Sequence, residues 1–112
     1  MALIGQLLTF SIQFTNTSGL AADPTTVKFY LREEVDGTEL EWTYNASPVE
    51  GTDYPTDMNP ITRDSAGAYE VPFVARKPER HTGVWKGSGN SVNQSSLSTA
   101  FVRHATIQLV EP

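Results

Sequence analysis

The sequence predicts an all-β domain, a small antiparallel β-sandwich of about seven strands, from the spacing of its apolar residues. In residues 8–14 the apolar side chains occupy every second position, and the same alternation returns in residues 26–33 and 69–73. Successive side chains of a strand point to opposite faces, so this spacing is typical of a sheet with one dry and one solvated face. No segment has the apolar stripe of an amphipathic helix, which repeats about every 3.6 residues.

The first three strands are predicted at residues 8–14, 26–33 and 40–44, with turn-forming residues between them. Asp36 and Gly37 predict a tight reversal between the second and third, because glycine accepts a positive φ at no steric cost. The inward-facing residues of the strands form the predicted core, which comprises Leu8, Phe10, Ile12, Phe14, Val27, Phe29, Leu31, Trp42, Tyr69, Val71 and Phe73.

The later strands are predicted at residues 61–63, 69–73, 82–86 and 99–110. Pro72 lies on the outward face of its strand and lacks an N–H, which predicts a position near a sheet edge. The final strand is long, and both of its faces are partly apolar. We therefore expect either a bulge in it or a portion that packs on a neighbouring subunit.

Two connections differ from ordinary turns. Residues 45–60 contain three prolines and no lasting period, and a loop of this length inside a compact domain is often functional. It carries Val49, Tyr54 and Met58, which either anchor a partner or pin the loop to its own domain. Residues 87–96 are small and polar, which predicts a flexible loop.

The bulk composition indicates a single domain spanning residues 1–112 and excludes several classes of protein. The chain has no cysteine, which rules out disulfides and cysteine-based metal centres and favours folding in a reducing cytoplasm. A net charge of −5 without a basic stripe opposes nucleic-acid binding. No run approaches the roughly 20 apolar residues of a membrane span, and the N-terminus lacks the pattern of a signal peptide.

The charge is unevenly divided along the chain. Residues 1–70 contain 11 acidic and 3 basic residues, whereas residues 71–112 contain 5 basic and 2 acidic residues. This distribution is explained either by the interleaving of strands or by a dipolar domain whose two ends meet different neighbours in an assembly.

No catalytic constellation is present in the sequence, so we expect no enzyme and assign no catalytic, cofactor-binding or metal-binding residue. His81 and His104 are the only imidazoles, they lack the spacing of a zinc site, and no nucleophile-elbow motif occurs. Aromatic residues leave a carbohydrate-binding module open as an alternative. Its best exposed candidates are Tyr30 and Tyr54.

Several segments together resemble a family of small immunoglobulin-like proteins encoded among the virion structural genes of tailed bacteriophages. They are the strand that follows Gly5, residues 15–27, Asp36-Gly37 before the strand of Trp42 and Tyr44, residues 63–69, and Gly83-Val84-Trp85. The resemblance implies an immunoglobulin-like β-sandwich and a non-enzymatic virion component made in the cytoplasm of the bacterial host.

Within that class we expect a capsid-decorating subunit, with a head–tail connector or a tail accessory protein as alternatives. A rigid sheet with variable loops can dock on a repeating lattice and gain from many copies. The expected partners are the major capsid protein or other virion proteins, without nucleic acid or membrane. The expected interface residues are Val49, Tyr54, Met58, Val102 and Val110, the last two on the long final strand.

Overall fold

The computed structural model describes residues 2–3, 5–33, 37–75 and 80–103, which form strands and turns and no helix. The prediction of an all-β domain is confirmed. Eight strands are found in this part of the chain, against about seven predicted: β1 (Ala2–Leu3), β2 (Leu7–Gln13), β3 (Thr26–Glu33), β4 (Thr38–Thr43), β5 (Thr62–Ser65), β6 (Ala68–Val74), β7 (Arg80–Gly89) and β8 (Val92–Arg103).

The strands form two sheets that face each other across one apolar core. The larger sheet has the order β1-β8-β7-β3-β4, and the smaller has the order β2-β6-β5. Neighbouring strands are antiparallel except for β1 and β8, which run parallel. Aromatic rings join the sheets: the centroids of Phe10 and Phe29 are 5.3 Å apart, and those of Trp42 and Phe73 are 6.5 Å apart. The architecture is that of a β-sandwich.

The predicted core is largely correct. Nine of its eleven residues are buried, and the other two, Leu8 and Ile12, are half-buried against it. Ile61, Trp85 and Val92 belong to the core as well and were missing from the prediction. The predicted hairpin is also confirmed, because β3 and β4 pair in register and Gly37 adopts a φ of 72°.

The prediction of a flexible loop at residues 87–96 is wrong. β7 continues to Gly89 and β8 begins at Val92, so only Asn90 and Ser91 lie between the strands. Their φ angles are 55° and 60°. Two consecutive residues with positive φ make the two-residue turn whose twist matches that of paired strands, and this turn allows a small, polar segment to form a hairpin.

The pairing of the strands bears on two further predictions, the position of Pro72 near a sheet edge and the bulge in the final strand. β6 is the middle strand of its sheet, but its pairing with β5 stops at Glu70, so Pro72 lies past the end of β5. At this position no residue of β5 is paired with Pro72, and the Pro72 carbonyl accepts a hydrogen bond from Asn59 Nδ2 of the long loop. The pairing of β8 with β7 is continuous in register from Val92 to Phe101, so this part of the strand has no bulge, whereas an irregularity occurs at Arg63–Ser65 of β5. Residues 104–110 of the predicted final strand lie outside the described residues, and the bulge stays a prediction there.

Candidate docking surface

The long loop at residues 45–60 is tied to the core of the domain. Buried Trp42 donates a hydrogen bond from Nε1 to the Asn59 carbonyl at 2.7 Å. Tyr54 and Met58 are half-buried and pack against the core cluster. Tyr54 and Met58 therefore pin the loop to its own domain.

Asp53 organises the first half of the loop. Its backbone carbonyl accepts a hydrogen bond from Thr43 N at 2.8 Å, which joins the loop to the end of β4. Its carboxylate accepts from Asn45 Nδ2 at 3.1 Å and from Val49 N at 3.0 Å. Asp53 thus serves the structure of the loop.

Val49 is the exposed apolar residue at the tip of this organised loop. Its side chain is 54% exposed, although its backbone is fixed by hydrogen bonds from Thr52 N and Asp53 N to its carbonyl. Of the other predicted interface residues, Val102 lies in the part of β8 after Val92, where the structure describes only the backbone, and Val110 lies outside the described residues.

A second exposed apolar group lies on the outer face of the smaller sheet. Leu7 of β2 and Val74 of β6 are register partners, and they are 54% and 50% exposed. Half-buried Pro72 is the next outward residue of β6. We call Leu7, Pro72 and Val74 the β2–β6 patch. Sequence reasoning missed it, although the signal was present: all three are apolar residues on the outward phase of their strands.

The β2–β6 patch is continuous with the end of the long loop. An open groove of about 350 Å³ is lined by Met58 and Asn59 of the loop and by Pro72 and Val74 of the patch. Asp57 also lines this groove, and its backbone N–H donates to Glu50 Oε2 at 3.2 Å. The result is an apolar groove with the carboxylates of Asp57 and Glu50 beside it.

A cluster of hydrogen-bonded polar side chains lies near the start of β6, at the opposite end of this strand from the β2–β6 patch. The Asp23 carboxylate accepts hydrogen bonds from Arg63 Nε at 3.0 Å, Gly67 N at 2.8 Å and the Tyr69 hydroxyl at 2.9 Å. The Arg63 hydrogen bond, followed by that of Gly67, lowers the pKa of Asp23 to about 2. Burial, together with the Asp23 hydrogen bond, raises the pKa of Tyr69 to about 12. Because these three donors belong to β5, to the turn that follows it and to β6, Asp23 holds the turn before β3 against β5 and β6.

Two buried ionisable side chains, Glu33 and His81, lie next to each other at the edge of the core. His81 Nε2 lies 3.5 Å from Glu33 Oε2, both side chains are fully buried, and the two residues are partners across β3 and β7. The imidazole also lies against the Phe73 ring, with centroids 5.6 Å apart. Within the described ranges, no cluster of three or more histidine, cysteine, aspartate or glutamate side chains is placed to hold a metal ion. His104 lies outside those ranges.

The two tyrosines suggested for carbohydrate stacking occupy different environments. Tyr30 is half-buried on the outer face of the larger sheet, where Lys86 Nζ lies 5.3 Å from the centroid of its ring. Tyr54 packs against the core from the loop.

The described part of the chain contains no helix that is long and apolar enough to cross a membrane. Comparisons of the chain with known protein families, with curated proteins and with solved structures find no match.

Proposed function

We propose that this chain is a non-enzymatic structural protein of a tailed-bacteriophage particle, and specifically a capsid-decorating subunit present in many copies. The proposal rests on the sequence resemblance and on one structural observation. That observation is the apolar groove between the long loop and β6, which continues into the β2–β6 patch. A rigid β-sandwich that exposes such a surface is suited to docking on a protein lattice, where many weak contacts act together.

The proposal includes an immunoglobulin-like topology, and the order of the strands supports it. In immunoglobulin domains strands B, E and D share one sheet, and strands G, F and C share the other. The observed order β2-β6-β5 corresponds to B-E-D if β2 is strand B. The order β8-β7-β3-β4 then corresponds to G-F-C, followed by the additional strand C′ of variable-type domains.

The proposed docking surface has two parts, the β2–β6 patch with its groove and the loop tip at Val49. Both parts expose apolar side chains that are not needed to complete the core. Hydrogen bonds fix the loop in advance, so less conformational entropy is lost on docking. Glu50 and Asp57 favour a partner with basic residues around its own apolar contact.

Co-sedimentation with particles tests this surface through three matched variants, Val49→Asp, Val74→Asp and Leu20→Asp. Each replaces an apolar side chain that is at least half exposed and adds the same charge. We expect all three variants to stay folded. Val49→Asp and Val74→Asp should lose attachment, because a charge would be desolvated in the contact.

Leu20 is 66% exposed in the turn before β3 and serves as the control. Leu20→Asp should attach like the unmodified chain. Loss of attachment by the control alone, or full attachment of Val49→Asp and Val74→Asp, would contradict the proposed surface. The capsids of the phage that encodes the chain are the appropriate particles, and isolated necks and tails distinguish decoration from the connector and tail-accessory roles.

A further inference from the structure

The outer face of the larger sheet has an apolar centre among charged residues. Tyr30 of β3 and Val84 of β7 are register partners, and both are half-buried. They line an open groove of about 300 Å³ together with Arg32, Glu39 and Lys86. This groove is on the opposite side of the sandwich from the β2–β6 patch, so the particle-docking surface proposed above does not include it.

This face also carries a charge repulsion that a partner would relieve. Lys28 and Lys86 lie directly opposite each other on β3 and β7. Like charges in this position destabilise a sheet. Lys28 Nζ is neutralised by Glu41 Oε2 at 3.2 Å. Lys86 Nζ rests over the Tyr30 ring, and no carboxylate of the described residues lies within 4 Å of it. A carboxylate from another molecule would therefore be stabilised at Lys86.

The outer face of the smaller sheet offers the complementary charge. Asp64 of β5 and Glu70 of β6 are exposed and line a groove of about 320 Å³ with Gln13 of β2. Among the side chains that the structure describes, no basic group lies within 4 Å of either carboxylate. Gln13 and Leu7 lie at opposite ends of β2, about 20 Å apart at the rise of an extended strand. The acidic groove and the β2–β6 patch therefore extend towards opposite ends of the same outer face, and they meet where Glu70 and Pro72 are successive outward residues of β6.

We propose that the Tyr30–Val84–Lys86 face of one copy binds the Asp64–Glu70 groove of the next copy. The occupant is a second copy of this chain because one molecule carries both complementary surfaces on opposite sides of its sandwich. A contact between two different surfaces is heterologous, so it repeats from copy to copy and forms a ring or an open row. On a particle, such contacts would link neighbouring subunits laterally.

Sedimentation equilibrium of the full chain, without particles, tests the contact at protein concentrations up to about 1 mM. We expect reversible association in about 0.01 M salt, where the screening length is about 30 Å. Association should be much weaker in about 0.15 M salt, where that length is about 8 Å. Lys86→Glu and Glu70→Lys should each lower the association constant at least about tenfold, because each places like charges together in the contact.

A mixture of the two variants provides the sharpest test. Lys86→Glu copies keep the acidic groove and Glu70→Lys copies keep the basic face, so the mixture should associate more strongly than either variant does alone. The two substitutions change the net charge by two units in opposite directions, so the double variants Thr17→Glu/Thr52→Glu and Thr17→Lys/Thr52→Lys, at exposed turn and loop positions, control for net charge alone. The absence of association at low salt, association unaffected by either reversal, or a mixture that stays monomeric would overturn the proposal. None of these outcomes depends on attachment to particles.

Discussion

Replacement of Trp42 tests how the core supports the docking loop. The side chain is fully buried, its ring lies 5.3 Å from Phe29 and 6.5 Å from Phe73, and its Nε1 donates to the Asn59 carbonyl at 2.7 Å. Trp42→Ala removes most of this contact and leaves a cavity between the sheets. We expect the free energy of unfolding to fall by about 3–5 kcal/mol.

Trp42→Phe separates the hydrogen bond from the packing. It retains an aromatic ring in the core but leaves the carbonyl of exposed Asn59 without its donor, which should cost about 0.5–1.5 kcal/mol. Urea titration followed by far-ultraviolet circular dichroism measures both variants. A loss below about 1 kcal/mol for Trp42→Ala would show that the register of β4, and the attachment of the loop to it, are wrong.

Three further predictions concern other parts of the fold. Gly87→Ala should destabilise the domain by about 1–3 kcal/mol in the same titration, since a methyl group there would lie 2.5 Å from the Phe14 ring; an unchanged midpoint would contradict this packing. His81→Leu should cost about 3–5 kcal/mol by leaving buried Glu33 without its imidazole, and the double replacement of both residues by leucine should be more stable than the single variant. The pKa of Asp23 is lowered in the folded state, so its stabilising contribution is present above pH 4 and is lost as the pH falls towards 2. Asp23→Asn should flatten that part of a curve of stability against pH, and a curve of unchanged shape would refute the role given to this carboxylate.

The strands that sequence reasoning predicted correctly are those with a strict alternation. In β3, Val27, Phe29 and Leu31 are buried, whereas Lys28 and Arg32 lie on the outer face. Such a pattern specifies both the strand and the face, because a shift by one residue would expose the whole apolar set. The same reasoning succeeded for β2 and β6.

The β7–β8 hairpin was missed because its pairing depends on backbone geometry more than on side-chain pattern. The start of β8 is rich in serine, asparagine and glutamine, which carry no alternation of polarity. In β7, Gly87 replaces an apolar inward residue because the ring of Phe14, the residue directly after β2, already fills that space. A contact of this kind joins strands far apart in the chain, and no local pattern predicts it.

Only part of the proposed docking surface could be predicted from the sequence, because the rest depends on contacts between segments that are far apart in the chain. The composition of the long loop indicated a special segment, but whether Tyr54 and Met58 face the core or the solvent depends on where the loop folds back. The hydrogen bond from Trp42 to Asn59 turns that end of the loop towards the core. The β2–β6 patch requires the cross-strand pairing of Leu7 with Val74, which single-strand reasoning does not provide.

Accessibility of the proposed surface on intact particles is the most direct test of the central claim. The chain contains no cysteine, so Val74→Cys, Val49→Cys and Leu20→Cys each introduce a unique thiol at an exposed position. Maleimide labelling is compared between the free protein and the protein bound to saturating particles. We expect strong protection at positions 74 and 49 on the particle and unchanged labelling at position 20. Equal labelling of the free and bound protein at position 74 would contradict it.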